Sequence, residues 1–142
     1  MKKLLIIFLL FVFALPCFAF LGKKKEKPLL LFSSINPQIS IGFDETIKNE
    51  DVFQVGKRIY FLVYVPEGFE SEYIKYQIIK QDDKAHIGGY SRVGAAVKRI
   101  KDKNYYIDYI VLSQAGKYAL QIFDITNLHH WIVYGHFVVI NE

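Results

Sequence analysis

Three histidines near the carboxyl end of the chain, His129, His130 and His136, have the side chains best suited to chemistry, because imidazole nitrogens bind zinc and copper. In a continuous strand, His130 and His136 would point to one face about 20 Å apart, at about 3.3 Å per residue, and His129 would point to the other face. That separation is too large for one ion, so we predict no metal centre. The alternative function that the sequence leaves open is that of a metal- or small-ligand-handling protein that uses these histidines.

Acidic side chains offer a second kind of ligand, because carboxylate oxygens bind calcium. The candidates are Asp44, Glu45, Glu50, Asp51 and Asp124. No D-x-D calcium loop surrounds them, and the pattern favours a solvated acidic loop.

The sequence contains no recognisable catalytic motif. Gly88, Gly89 and Gly94 lack the lysine and the helix of a phosphate-binding loop, and no G-x-S-x-G nucleophile elbow occurs. Asp82 and Asp83 stand in a predicted turn, where carboxylates serve turn geometry. We therefore name no catalytic residue and expect neither an enzyme nor a cofactor.

The first nineteen residues, MKKLLIIFLLFVFALPCFA, predict where such a protein works. Lys2 and Lys3 form a positive n-region, residues 4–15 form an apolar h-region, and Pro16 precedes a small-residue cleavage site after Ala19. This is the pattern of an export signal. We expect the protein in the periplasm or at the cell surface, either free or tethered to a membrane.

Three forms of the amino terminus stay open: cleavage after Ala19, lipidation of Cys17, and retention of the apolar run to Leu21 as an anchor. A basic cluster follows, made of Lys23, Lys24, Lys25 and Lys27. Beside a membrane it would attract anionic headgroups, at about 1 kcal/mol per cation. Because no apolar residue is interleaved with the lysines, a solvated linker is favoured. We place this linker, with a candidate edge segment, at residues 20–36.

Composition limits the rest of the chain to one domain. Loss of Lys2 and Lys3 from the 18 basic residues leaves a net charge near +2 against 14 acidic ones, which does not indicate nucleic acid. About 120 residues suffice for one core. Cleavage would also remove the single cysteine, so packing must come from side chains such as the 10 Tyr and the 8 of the 12 Phe that follow the leader.

Short β-rich runs separated by turn residues fill residues 37–142, which we take as the domain. They predict an all-β, seven-stranded antiparallel sandwich, and the apolar run LLLFSS from Leu29 is a candidate for a further edge. Residues 44–54 are predicted to be a polar arm. The seven predicted strands are residues 37–43, 57–65, 73–81, 88–100, 105–112, 117–125 and 131–140.

The last three predicted strands carry a recognisable pattern: Tyr-x-Ile-x-Tyr from residue 105, Ala-Gly-Lys-Tyr-x-Leu-x-Ile from residue 115, and Gly-x-Phe-x-Val from residue 135. This pattern resembles the end of immunoglobulin-like sandwiches, in particular filamin-like and bacterial exported ones. The resemblance implies a tyrosine corner, in which the Tyr118 hydroxyl, two residues after Gly116, bonds the backbone just upstream. Leu120 stands at the position of the second disulfide cysteine, so the disulfide-pinned subclass is excluded.

The two-residue alternation along the strands predicts which side chains face away from the core. In strand 57–65 we expect Ile59, Phe61, Val63 and Val65 to face inward. In strand 105–112 we expect Tyr105, Ile107 and Tyr109 to face inward and Asp108 to face outward, because burial of an unpartnered carboxylate is costly. The resulting outer patch consists of Tyr60, Leu62, Tyr64, Tyr106 and Ile110.

An apolar patch of this kind is typical of a contact surface, unless the basic linker, the Leu29 run or the 44–54 arm covers it. The sequence thus predicts an exported, non-enzymatic, Ig-like binding or scaffold module of the bacterial envelope. Its expected partner is an envelope protein, held at this patch or by strand addition at an edge.

Overall fold

The computed structural model describes residues 26–37, 48–82 and 88–141. Within these ranges the chain forms eight strands. They are β1 (Leu29–Ser33), β2 (Val52–Gln54), β3 (Arg58–Tyr64), β4 (Tyr73–Gln81), β5 (Tyr90–Arg99), β6 (Tyr105–Val111), β7 (Gly116–Asp124) and β8 (Asn127–Ile140).

Several predicted features lie outside the described residues and stay predictions. They are the leader with Cys17, the lysines Lys23, Lys24 and Lys25, residues 38–43 of the first predicted strand, and the acidic residues Asp44 and Glu45. The described residues include no helix long and apolar enough to cross a bilayer.

The strands form two sheets, with orders β1-β3-β6 and β2-β8-β7-β4-β5. This confirms the predicted all-β, two-sheet architecture. The predicted count of seven strands is not confirmed. The predicted all-antiparallel pattern is wrong, because β2 forms within the predicted polar arm and pairs in parallel with β8. The run from Leu29 does form an edge strand, β1, next to β3.

The core lies between the sheets and is rich in aromatic rings. Phe32 of β1 and Phe137 of β8 approach to 4.9 Å between ring centroids, and Tyr118 of β7 stacks on Phe137 at 5.7 Å. The inward residues predicted for β3, Ile59, Phe61 and Val63, are each fully buried. The two-residue alternation along β3 thus correctly predicted which of its side chains lie in the core.

Gly135 of β8 lies directly against side chains of β1 in the other sheet. A Cβ atom at this position would lie 2.7 Å from the Phe32 ring and 3.2 Å from a methyl group of Leu30. Glycine therefore leaves the space that the Phe32 ring fills.

Tyr118 bonds the backbone just upstream of β7. Its hydroxyl donates to the carbonyl oxygen of Gln114 at 2.8 Å, and its side chain is buried. The ammonium of Lys80 lies 5.7 Å from the Tyr118 ring centroid, and a Cβ at Gly116 would meet the Lys80 stem. This is the hydrogen bond expected of a tyrosine corner.

Candidate functional site

The outer surface of the three-stranded sheet, called here the tyrosine face, is built by the register of β3 with its neighbours. Tyr60 pairs with Tyr109, Leu62 with Ile107 and Tyr64 with Tyr105. Directly paired residues share a face, so these side chains lie together. From β1 the same face receives Leu29 and Leu31, which pair with Tyr64 and Leu62.

Two residues of the predicted outer patch face the core instead. Ile110 pairs with Ile59 and is buried, and Tyr106 pairs with Val63 and packs partly buried against the core. The predicted outward orientation of Tyr106, Asp108 and Ile110 is therefore wrong. Tyr105, Ile107 and Tyr109 take their place on the outer face.

Asp108 turns inward because the structure supplies partners for its carboxylate. The Tyr106 hydroxyl donates to Asp108 Oδ2 at 2.8 Å, and Lys98 Nζ of β5 lies 3.4 Å from the same oxygen. Burial first, and then the hydrogen bond to Asp108, raise the pKa of Tyr106. Burial also raises the pKa of Tyr76, with a further contribution from the Asp108 charge. Both phenols thus stay neutral at physiological pH.

The exposed part of the tyrosine face has an ordered aromatic pair. Tyr60 and Tyr109 lie 5.8 Å apart between ring centroids, and the Arg58 guanidinium lies 4.7 Å over the Tyr109 ring. Hydrogen bonding to Tyr60 and the nearby tyrosine oxygens raise the pKa of Arg58, so this cation keeps its charge. Leu62, which was expected on the surface, lies on this face but is 3% exposed, whereas Tyr109 is 43% exposed.

The outer surface of the five-stranded sheet, called here the β8 face, carries a second aromatic group. Trp131 and Tyr134 lie 5.2 Å apart between ring centroids, and Tyr134 and His136 lie 5.5 Å apart. Trp131 and Tyr134 are about half exposed. The three rings form a row along β8.

A bulge in β8 positions the predicted histidine cluster. One step along β7, from Asp124 to Phe123, is matched on β8 by the longer path from Asn127 to Trp131. His129 and His130 lie in this extra segment, whereas His136 pairs regularly with Ala119. All three histidines are exposed. Among the described residues, no three His, Cys, Asp or Glu side chains are grouped to hold a metal ion.

A cleft of about 290 Å³ opens on the β8 face beside His136. Tyr118 and Phe137 also contribute to its walls. The other residues that line it are an acid, an amide, a cation, two residues with rings and an apolar residue: Asp51, Gln81, Lys117, Tyr90, His136 and Val138.

Two of the acids considered for calcium bind backbone and hydroxyl groups instead. Glu50 accepts from the Ser34 amide at 2.9 Å and from the Ser34 hydroxyl at 2.8 Å. The buried Asp124 accepts from the amides of Ser71 and Thr126 at 3.1 and 2.8 Å. These carboxylates fix loops next to the sheets.

No known protein family matches this chain, and no curated protein sequence matches it either. Among solved structures it is similar to a superoxide reductase (neelaredoxin) from Ignicoccus hospitalis, with 9% identity over 85% of this chain and 89% of that one, at a TM-score of 0.41. It is also similar to a CARDB domain from Pyrococcus furiosus, solved with di-metal ions, with 16% identity over 85% of this chain and 94% of that one, at a TM-score of 0.35. Scores this low carry no functional argument.

Proposed function

We propose that this protein is an exported, non-enzymatic Ig-like binding module of the cell envelope, whose tyrosine face contacts a partner protein. The observation that carries the proposal is the alignment of Tyr60, Tyr64, Tyr105 and Tyr109 across β3 and β6. The export pattern of residues 1–19 supports the envelope location.

The tyrosine face has the composition of a protein contact. Tyrosine combines a large apolar area with a hydroxyl that can bond a partner, and few torsions are lost when it is immobilised. Leu29, Tyr109 and Val111, all close to half exposed, add apolar surface around the centre. Arg58, whose guanidinium lies over the Tyr109 ring, adds a second residue type that is frequent in binding hot spots.

Charge also favours a protein over a polyanion at this face. Arg58 is its one cation on the described β1, β3 and β6 strands, and these strands place no acid there. Affinity must then come from burial of apolar and aromatic area, which suits a folded partner with a matching apolar patch.

A photocrosslinking experiment tests the proposal. Tyr109 is replaced by the photoreactive residue p-benzoylphenylalanine in the full chain, which is produced in its own cells. Tyr73, also 43% exposed but on the opposite sheet, receives the same replacement as a control. We expect position 109 to crosslink one defined envelope protein and position 73 not to capture it.

A point variant then measures the contribution of the ring. Tyr109→Ser should weaken capture of the crosslinked protein about tenfold, because hot-spot tyrosines contribute at least about 1.4 kcal/mol, whereas Tyr73→Ser should not. Equal crosslinking from both positions, or unchanged capture by Tyr109→Ser, would refute the tyrosine face as the contact surface.

A further inference from the structure

We propose that the β8 face, on the other side of the sandwich from the tyrosine face, binds an acidic polysaccharide. The cleft beside His136 receives an acidic sugar unit, and the aromatic row of β8 supports the units that follow. This site is independent of the proposed protein contact.

The charge of the β8 face points to an anionic ligand. The strand register turns Lys75, Arg92, Arg99 and Lys117 to this face. Arg99 is paired with Glu72 at 3.3 Å, whereas the other three make no ion pair with any residue that the structure describes. Within the described β4, β5, β7 and β8, no acidic side chain occupies an outward position, and Asp51, just before β2, is the acid that lines the cleft.

The aromatic row points to a chain of sugar rings. The centroid spacings of 5.2 Å from Trp131 to Tyr134 and 5.5 Å from Tyr134 to His136 are similar to the repeat of linked pyranose rings. The ring planes are inclined to each other by 70° and 90°, so a sugar chain along β8 would meet ring faces and ring edges in turn. Sugars present apolar C–H faces that pack on aromatic rings. Rings that are about half exposed retain the surface to make this contact.

The cleft supplies the polar groups that recognise a single sugar. The Asp51 carboxylate accepts hydrogen bonds from ring hydroxyls, and the Gln81 amide both donates and accepts. Lys117 provides the charge for a sugar carboxylate, in a charge-assisted bond stronger than a neutral one. Tyr90 and His136 lie at its sides. The volume of about 290 Å³ is at the small end of ligand sites and suits one sugar unit.

A matched pair of oligosaccharides tests the inference. Calorimetry of the full-length protein compares a tetrasaccharide of β-linked mannuronic acid with neutral mannotetraose of the same linkage, in which hydroxymethyl groups replace the carboxylates. We expect the acidic sugar to bind and the neutral one to bind at least about tenfold more weakly, because the charge-assisted bond to Lys117 is lost.

Variants separate the aromatic and the charged contributions. Trp131→Ala and Lys117→Gln should each weaken binding of the acidic sugar about fivefold to tenfold. Tyr109→Ser on the tyrosine face is the control and should leave this affinity unchanged. In the unsubstituted protein, chemical shifts should change at β7 and β8 when the acidic sugar binds. This measurement locates the site even if one of the variants fails to fold.

The proposal would be overturned by no binding of the acidic sugar, by equal binding of both sugars, or by shift changes confined to the tyrosine face. Polyglutamate serves as a polyanion without sugar rings. If polyglutamate binds as tightly as the acidic sugar and Trp131→Ala does not change the affinity for the sugar, the face binds polyanions by charge alone and recognition of sugars is refuted.

Discussion

Replacement of Gly135 by alanine should destabilise the sandwich strongly, although it adds one methyl group. The new Cβ would lie 2.7 Å from one carbon of the Phe32 ring and 3.1 Å from another. Carbon atoms prefer separations of about 3.5–4.0 Å, so the ring must retreat by about 1 Å. Phe32 is 2% exposed and packs on Phe137, which leaves it little room to move.

The expected cost follows from this overlap. Overpacking of a filled core costs about 1–3 kcal/mol, and a domain of this size loses about 4–8 °C of melting temperature per kcal/mol. We therefore expect Gly135→Ala to lower the free energy of unfolding by about 2 kcal/mol and the melting temperature by about 10 °C. Urea unfolding and thermal unfolding, followed by circular dichroism, measure the two quantities.

Gly94→Ala is the matched control, because Gly94 is also an inward strand glycine whose Cβ would meet a single Ile78 methyl at an ordinary 3.4 Å. Its stability should change by less than about 0.5 kcal/mol. Adding Phe32→Leu to Gly135→Ala should recover about 1 kcal/mol relative to the sum of the single changes. Wild-type stability of Gly135→Ala, or strict additivity with Phe32→Leu, would refute the steric explanation.

Two further predictions concern buried tyrosines. Tyr118→Phe removes the 2.8 Å hydrogen bond to Gln114 and should lower the free energy of unfolding in urea by about 1 kcal/mol. Tyr90→Phe, at an exposed position, is the control and should lower it by no measurable amount. Equal losses of stability in the two variants would contradict the role of the Tyr118 hydrogen bond. Because the pKa of Tyr106 is raised in the folded state, the unfolded chain loses this proton first, so stability should fall as pH rises above about 10. Tyr106→Phe should flatten that fall in unfolding experiments run across the alkaline range, and an unchanged slope would exclude Tyr106 as its source.

The strands themselves were predictable from alternation. The predicted strand at residues 57–65 corresponds to β3, and it pairs with β6, which corresponds to the predicted strand at residues 105–112. β2 was not predictable, because three residues hold too little alternation to identify a strand. The start of β8 was hidden as well, since the bulge between Asn127 and Trp131 interrupts the two-residue period.

The composition of the tyrosine face was predictable only in part. The sequence places Tyr60 and Tyr64 outward, as observed, but assigns the wrong set of β6 residues. The error rests on Asp108, whose carboxylate is partnered by the Tyr106 hydroxyl of its own strand and by Lys98 of β5, in the other sheet. A partner contributed by another strand changes the cost of burying a carboxylate, and alternation within one strand carries no information about it.

The parallel pairing of β2 with β8 has a mechanical consequence. Val138 donates its amide hydrogen to Asp51 at 2.7 Å, and Val55 donates to Ile140 at 3.0 Å, so backbone bonds lie at both ends of the short ladder. A force that pulls the chain before β2 away from the chain after β8 loads these bonds in shear, because the two strands run in the same direction. The bonds must then break together instead of one after another, so this seam resists tension better than a hairpin of equal length.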